Sequence, residues 1–146
     1  MLNILIDTNV ALDFVLHRQP FYQIAEKIVE TAKLQNISLN VSAASVTDIY
    51  YLVRRELRDR NLALQLLKNF LNVAKIAAVS ENEINKALDL DWNDFEDAVQ
   101  YSTALLNQMD YIVTRNAKDF KASEVPAISP EDFCALFEPE DSEEEQ

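Results

Sequence analysis

The 146-residue chain contains no glycine, one histidine (His17) and one cysteine (Cys134). Loops that hold nucleotide phosphates need glycine where the backbone approaches the ligand closely, so the phosphate-binding motifs of nucleoside triphosphate and nicotinamide sites are excluded. A nucleophilic triad would have to use His17, which we expect in a loop without an acidic residue to orient it. Carboxylates are the abundant groups that remain for chemistry, because the chain has 25 Asp and Glu residues.

Long apolar runs and paired cysteines are also missing. No apolar run approaches the roughly 20 residues of a membrane span, and the N-terminus lacks a basic segment followed by an apolar core. A single cysteine cannot form an internal disulfide, which fits a reducing compartment. We therefore expect a cytoplasmic protein that does not cross a membrane. The length and the hydrophobic fraction of 49% predict one domain, over residues 1–137.

The formal net charge of −12 argues at first against nucleic acid as a partner. Six acids, however, lie in residues 138–146, which we predict to be a disordered acidic tail. Without these six, 19 acids remain against 13 bases. Setting aside the four acids that are proposed below as metal ligands leaves 15 against 13, so the body of the domain is nearly neutral and nucleic acid is not excluded.

The first residues form a nearly continuous apolar run that stops at Asp7. Such a run is typical of a parallel strand that is covered on both faces. Open α/β sheets bind ligands beyond the carboxyl ends of their strands, which is where Asp7 would lie. The alternative is that Asp7 or Thr8 only caps the following helix.

Strand and helix patterns alternate along the chain, which predicts an α/β fold. We expect three α/β/α layers with a central parallel sheet of about five short strands. After the first strand, the predicted strands cover 37–41, 75–79, 111–114 and 125–128. The predicted helices cover 10–16, 21–35, 42–57 and 61–72, and three more begin near Ser80, Asn93 and Ser129. Asn36 is the expected left-handed end of the second helix, and Phe95 and Leu106 are expected on the buried face of the sixth.

Four acids fall at corresponding places in this alternation. Asp7 follows the first strand, Asp48 lies in the helix after the second, Asp97 is near a helix start, and Asp119 follows the strand that ends at Thr114. All four can meet over one edge of the sheet. Two carboxylates about 4 Å apart repel by about 4 kcal/mol at an effective dielectric of about 20, so such a cluster requires cations or raised pKa values. Oxygen ligands without His or Cys favour Mg²⁺ or Mn²⁺.

Four short motifs carry a family resemblance: residues 4–9 (ILIDTN), 45–50 (SVTDIY), 94–98 (DFEDA) and 113–120 (VTRNAKDF). In this order they resemble the motifs of PIN-domain ribonucleases, most closely the toxin half of bacterial VapBC-type pairs. The resemblance implies that Asp7, Asp48, Asp97 and Asp119 hold one or two divalent ions for the hydrolysis of RNA. It implies supporting hydrogen bonds from four residues: Thr8, Asn9, Thr114 and Asn116.

The second motif departs from the family, which usually has Glu where this chain has the shorter Asp48. A water would then bridge this carboxylate to the metal. Asp94, one helical turn before Asp97, is a candidate to contact the metal where the shorter Asp48 does not reach it. Its alternative role is a favourable negative charge in the first turn of a helix.

Two groups of basic residues are candidates for contacts with RNA phosphates. Arg115, Lys118 and Lys121 flank Asp119 and are the preferred substrate-binding group. Arg54, Arg55, Arg58 and Arg60 form the second group, for which the alternative is a solvated helix face paired with Glu56 and Asp59. The aromatic residues Tyr51, Trp92 and Tyr101 stack on bases or, alternatively, only pack within the protein.

Partners and a rival function complete the expectations. The resemblance implies an antitoxin protein that closes the site, and the helix over 61–72 offers apolar surface for that partner or for a homodimer. A phosphatase with an aspartyl-phosphate intermediate is disfavoured, because it would need an Asp where this chain has Asn9. The rival is a catalytically silent module of the same fold that binds RNA or protein.

Overall fold

The computed structural model describes residues 1–120 and 124–139. The strands in these residues are β1 (Asn3–Ile6), β2 (Ser38–Ser42), β3 (Lys75–Ala77), β4 (Tyr111–Val113) and β5 (Ala127–Ile128). They form one parallel sheet in the order β3-β2-β1-β4-β5. The strand that ends at Asp7 is therefore central, with Ile6 opposite Val41 on one side and Val113 on the other.

The helices of the described residues are α1 (Thr8–Val15), α2 (Tyr22–Gln35), α3 (Ala43–Leu57), α4 (Arg60–Phe70), α5 (Glu81–Leu90), α6 (Phe95–Leu106) and α7 (Pro130–Ala135). Side chains cap the N-termini of all but α2, because Ser and Asp oxygens accept the free backbone N–H groups there. Ser80 and Glu83 form the expected capping box of α5. Asn36 ends α2 in the left-handed conformation, with φ 56°.

Helices cover both faces of the sheet, which confirms the three-layer α/β/α prediction. Ile4 and Ile6 of β1 point into a core formed with α1, α2, α3, α4 and α7. Leu5, between them, points to the other face, where it packs in a cluster with Tyr101 of α6. This alternation is the two-residue period of a strand, and because both faces are covered it explains why Ile4, Leu5 and Ile6 are all apolar.

Two local predictions for the sixth helix were wrong. The sixth helix is capped by Asp94 and not by Asn93, so it begins at Phe95. Phe95 and Leu106 are 45% and 44% exposed, because only Ala98 to Ala104 of α6 are buried and the helix ends extend beyond that buried section.

Some predictions concern residues outside the described ranges. Residues 140–146 of the predicted acidic tail and Lys121 lie outside them. Of the tail, Glu138 is described, and its carboxylate lies 2.5 Å from the Lys27 ammonium group on α2. In the part of the chain that the structure describes, no helix has both the length and the apolar character that a bilayer span requires.

Candidate active site

A cavity of about 510 Å³ lies where β1 and β2 end and where α3 and α6 begin. Its position is the one expected for an open parallel sheet, whose loops and helix starts gather at the carboxyl edge. Five aspartates line it: Asp7, Asp48, Asp94, Asp97 and Asp119. Polar side chains complete much of the lining, namely Thr8, Asn9, Ser42, Ser45, Gln100 and Asn116. All four aspartates that were predicted from the sequence therefore reach one cavity.

Asp7 is held in place more firmly than any other acid of the cavity. It is 8% exposed, and its Oδ1 accepts hydrogen bonds from the Thr8 backbone N–H at 2.8 Å and from Gln100 Nε2 at 3.2 Å. Its Oδ2 accepts one from Thr114 Oγ1 at 2.7 Å. Burial raises the pKa of Asp7 above the ordinary value, these hydrogen bonds partly offset the rise, and the charge of Asp94 adds to it. Asp7 therefore caps α1 and lines the cavity, so the two readings of this residue are compatible.

The raised pKa of Asp97 indicates that the acids of the cavity lie close together. Burial, as the largest cause, and then the negative charges of Asp94, Asp7, Asp119 and Glu96, in that order, together raise the pKa of Asp97 to about 6. Like charges that face one another without a cation favour the protonated form. The repulsion predicted from the sequence is thus present, with Asp97 at its centre.

Asp48 and Asp94, the two candidates for the second acidic position, differ in their effect on the other acids of the cavity. Asp48 is exposed and lines the cavity from the first turns of α3, but its charge is not among those that act on Asp7 or Asp97. Asp94 acts on both, and its Oδ1 also accepts the Asp97 backbone N–H at 3.1 Å as the cap of α6. Asp94 is thus both the N-cap of α6 and one of the acids that line the cavity.

The donor set fits a hard divalent cation. The cavity offers carboxylate, hydroxyl and amide oxygens, and among the described residues the ion pairs are Lys27–Glu138 and Arg115–Asp13, so none neutralises a cavity acid. Over the same residues no three His, Cys, Asp or Glu side chains are already gathered around one point. Mg²⁺ needs only one or two carboxylates and keeps several waters, so the exposed acids suit it without a closed protein cage.

The predicted supporting residues are only partly in contact with the acids. Thr114 is fully buried, and besides bonding Asp7 its Oγ1 accepts the backbone N–H of Asn116 at 3.1 Å, which ties the loop after β4 to β1. The side chain of Asn116 is exposed at the cavity, and the buried Oδ1 of Asn9 has no hydrogen-bond partner among the described residues. These contacts make Thr114 the best anchored of the group.

A polar network centred on Gln100, which forms a hydrogen bond with Asp7, was not predicted from the sequence. Gln100 is 6% exposed, and its Nε2 also lies 2.9 Å from Ser45 Oγ and 3.3 Å from Thr8 Oγ1. Thr8 Oγ1 donates to Ser45 Oγ at 2.7 Å. One signal was available, because Gln100 follows Asp97 by three residues and so shares its helix face inside an otherwise mostly small and apolar run. Ser45 gave no comparable signal.

The preferred substrate-binding residue, Arg115, is engaged elsewhere. Its Nε and Nη2 donate to the Asp13 carboxylate at 2.8 and 3.3 Å, and its guanidinium lies 3.9 Å from the centre of the Phe21 ring. Lys118 is exposed beside Asp119 on a 3₁₀ turn (Ala117–Asp119). Arg18, which was not among the predicted bases, lines the cavity instead. The base that lines the cavity is therefore not the one expected.

A central parallel sheet with helices on both faces and an aspartate-lined cavity at its carboxyl edge defines this chain as a three-layer α/β/α protein with an acidic site. Residues 3–118 match the model of the PIN domain, and the chain therefore belongs to the PIN domain family. The resemblance that the four motifs suggested is confirmed at the level of the family.

Individual relatives extend this comparison over nearly the whole chain. Ribonuclease VapC1 of Aquifex aeolicus (strain VF5) is 24% identical over 136 residues, which are 90% of this chain and 92% of that protein. The structure of VapBC2 from Rickettsia felis bound to a DNA fragment from its promoter is similar with a TM-score of 0.68, at 17% identity over 88% of this chain and 98% of that one. A toxin-antitoxin complex from Klebsiella pneumoniae gives 0.65, at 20% identity over 87% and 97%. These structural similarities establish the fold.

Proposed function

We propose that this protein is an Mg²⁺- or Mn²⁺-dependent endoribonuclease that hydrolyses phosphodiester bonds of RNA. The observation that carries the proposal is the meeting of Asp7, Asp94, Asp97 and Asp119 in one cavity, where the charges of the other three add to the rise in the pKa of Asp97. Membership of the PIN domain family and the similarity to a protein named as a ribonuclease support the same activity.

Asp7, Asp97 and Asp119 would hold one or two ions, together with Asp48 or Asp94. A bound divalent ion activates water and offsets the charge that develops when a phosphodiester is attacked in line. Three donors fix the Asp7 carboxylate before any ligand arrives, so its orientation costs little on binding. Thr8, Asn9 and Asn116 line the same cavity and supply hydrogen bonds to waters or to phosphate.

Substrate phosphates need positive charge at the mouth of this acidic cavity. Lys118 is exposed next to Asp119 and keeps the role predicted for it. Arg18 lines the cavity and adds a second cation. Arg115 could contact phosphate only by giving up part of its contact with Asp13, so we assign it mainly to holding the loop after β4 against α1.

The proposal includes a biological setting: the protein acts in the cytoplasm as the toxin of a toxin-antitoxin pair. Support comes from the similar structure from Klebsiella pneumoniae, which is described as a toxin-antitoxin complex, and from the single buried Cys134, which suits a reducing compartment. On α4, Leu62 is 44% exposed and offers apolar surface for an antitoxin or for a homodimer. Purification from the native host tests both partners, and a monomer without any small companion protein would contradict them.

Cleavage of unstructured RNA tests the activity itself. We expect the wild-type protein to cut RNA with Mg²⁺ or Mn²⁺ and to lose this activity with a chelator or with Asp7→Asn. Asp110→Asn is the matched control, because Asp110 is an exposed acid that bonds the Asn3 backbone N–H where β1 and β4 begin, at the other edge of the sheet. Equal cleavage by wild-type and Asp7→Asn protein would assign the activity to a contaminant and leave a silent PIN-like binding module.

A further inference from the structure

Positive charge is concentrated on one short segment of this acidic chain. Four of its six arginines lie within residues 54–60, while the net charge is −12. An open groove at the end of α3 is lined by Tyr51, Leu52, Arg54, Arg55 and Arg58. We call this surface the α3 arginine face. Its tyrosine is 65% exposed, although an aromatic ring gains free energy when it is buried.

The acids beside these arginines do not neutralise them. Glu56 and Asp59 are the partners that the sequence suggested, yet among the described residues the ion pairs are Lys27–Glu138 and Arg115–Asp13. The Asp59 carboxylate caps α4, because its Oδ1 accepts the Leu62 backbone N–H at 3.0 Å. Arg54 donates to the Tyr50 hydroxyl at 3.4 Å. The guanidinium groups of Arg55 and Arg58 therefore face solvent.

The α3 arginine face continues from the wall of the acidic cavity. Ala44 and Asp48 of α3 line that cavity. Leu52 and Arg55 follow Asp48 by four and seven residues, which places all three along one side of the helix. With a rise of 1.5 Å per residue, the distance from Asp48 to Arg55 along the helix axis is about 10 Å. A strand that leaves the cavity along α3 therefore meets the arginines within a short length.

We propose that the α3 arginine face binds the backbone of single-stranded RNA that extends beyond the cleaved bond, with Tyr51 stacking on a base. This inference rests on the ribonuclease function proposed above, since it gives the substrate its path. Arginine forks suit phosphate, and an aromatic ring that stacks on bases of any sequence is the usual companion of such a groove. The rings of Tyr50 and Tyr51 pack edge to face, with centroids 5.3 Å apart, and Tyr51 remains exposed beside the arginines.

Binding measurements test the surface separately from the chemistry. The double variant Arg55→Gln with Arg58→Asn removes two positive charges, and Asn suits the left-handed conformation that Arg58 has at the end of α3. The control, Lys33→Gln with Lys75→Gln, removes two exposed charges near the end of α2 and in β3, away from both grooves. All proteins also carry Asp7→Asn so that a labelled oligouridylate of about 20 nucleotides, longer than one groove holds, stays intact.

We expect the arginine variant to bind this RNA several-fold more weakly than the control. Two lost phosphate contacts should reduce the slope of log affinity against log salt by about 1.4, at about 0.7 for each contact to a single strand. Tyr51→Ala should weaken binding and Tyr51→Phe should not, because stacking needs only the ring. Equal affinity and equal slope for the arginine variant and the control would overturn the inference.

Cleavage and an acidic probe separate the remaining outcomes. With Asp7 restored, the arginine variant should cut long RNA more slowly and an oligonucleotide of about 4 residues at the wild-type rate, because the short substrate does not reach the arginines. If wild-type protein cuts neither substrate while the binding difference persists, the ribonuclease proposal fails and the RNA surface stands. Loss of binding to polyglutamate, with RNA binding unchanged, would overturn the inference in favour of an acidic polypeptide.

Discussion

Replacing Asp97 with Asn should stabilise the metal-free protein. The Asp97 carboxyl has a pKa of about 6 in the folded protein, against 3.8 for the free side chain. The folded state therefore holds this proton more tightly than the unfolded chain, and stability falls as the pH rises from 3.8 through about 6. Above that range Asp97 is ionised among Asp94, Asp7 and Asp119, so its charge works against folding.

The size of this effect can be bounded. A rise in the pKa from 3.8 to about 6 corresponds to at most about 3 kcal/mol in the free energy of unfolding. Asp97 is only partly buried, so water screens the repulsion, and its charge also favours the first turn of α6 by a few tenths of a kcal/mol. We therefore expect the Asn variant to gain about 1 kcal/mol, or about 3 °C in Tm, once the pH is above the folded-state pKa.

Thermal unfolding in the presence of a chelator, measured at several pH values, tests the predicted gain in stability. The gain should shrink as the pH is lowered through 6 towards 3.8, because the wild-type carboxyl becomes protonated. Glu96→Gln is the control, since it removes a neighbouring charge from the same helix turn with the smallest effect on Asp97. Mg²⁺ or Mn²⁺ should raise the Tm of wild type more than that of the variant. A destabilised variant at neutral pH, or a difference that does not change with pH, would refute the electrostatic reasoning.

Two further predictions concern buried polar contacts. Gln100→Leu should lower the free energy of unfolding by about 1–3 kcal/mol in chemical denaturation, because Asp7 and Ser45 lose a buried donor. It should also reduce RNA cleavage at least tenfold, and full cleavage would show that Asp7 needs no such support. Arg115→Gln should cost about 2–4 kcal/mol in the same assay by leaving the buried Asp13 unpaired. Adding Asp13→Asn should recover much of this loss, whereas an unchanged stability with weaker RNA binding would make Arg115 a substrate contact.

The sequence was sufficient for much of the local structure because such structure depends on neighbouring residues. The apolar run before Asp7, the capping box of Ser80 and Glu83, and the left-handed Asn36 were all correctly predicted. Each is set by hydrogen bonds or by periodicity within a few positions. The order of strands and helices then restricts the fold to a parallel sheet with helices on both faces.

The residues around the acids needed the tertiary structure. Gln100 and Thr114 reach Asp7 from 93 and 107 residues away in sequence, and although Gln100 shares the helix face of Asp97, its spacing does not identify Asp7 as its partner. Arg115 was expected at the RNA, yet it pairs with Asp13, 102 residues earlier. The choice among such partners depends on how β1, α1, α6 and β4 cross in space.

The sequence by itself thus determined which chemistry was possible: without glycine and with almost no histidine, it had to rely on carboxylates placed after strands. Only the tertiary structure decided which carboxylates repel one another and which cations are free to meet a substrate. The physical reason is that charge interactions depend on distance and burial, whereas spacing along a chain fixes neither for residues on different elements.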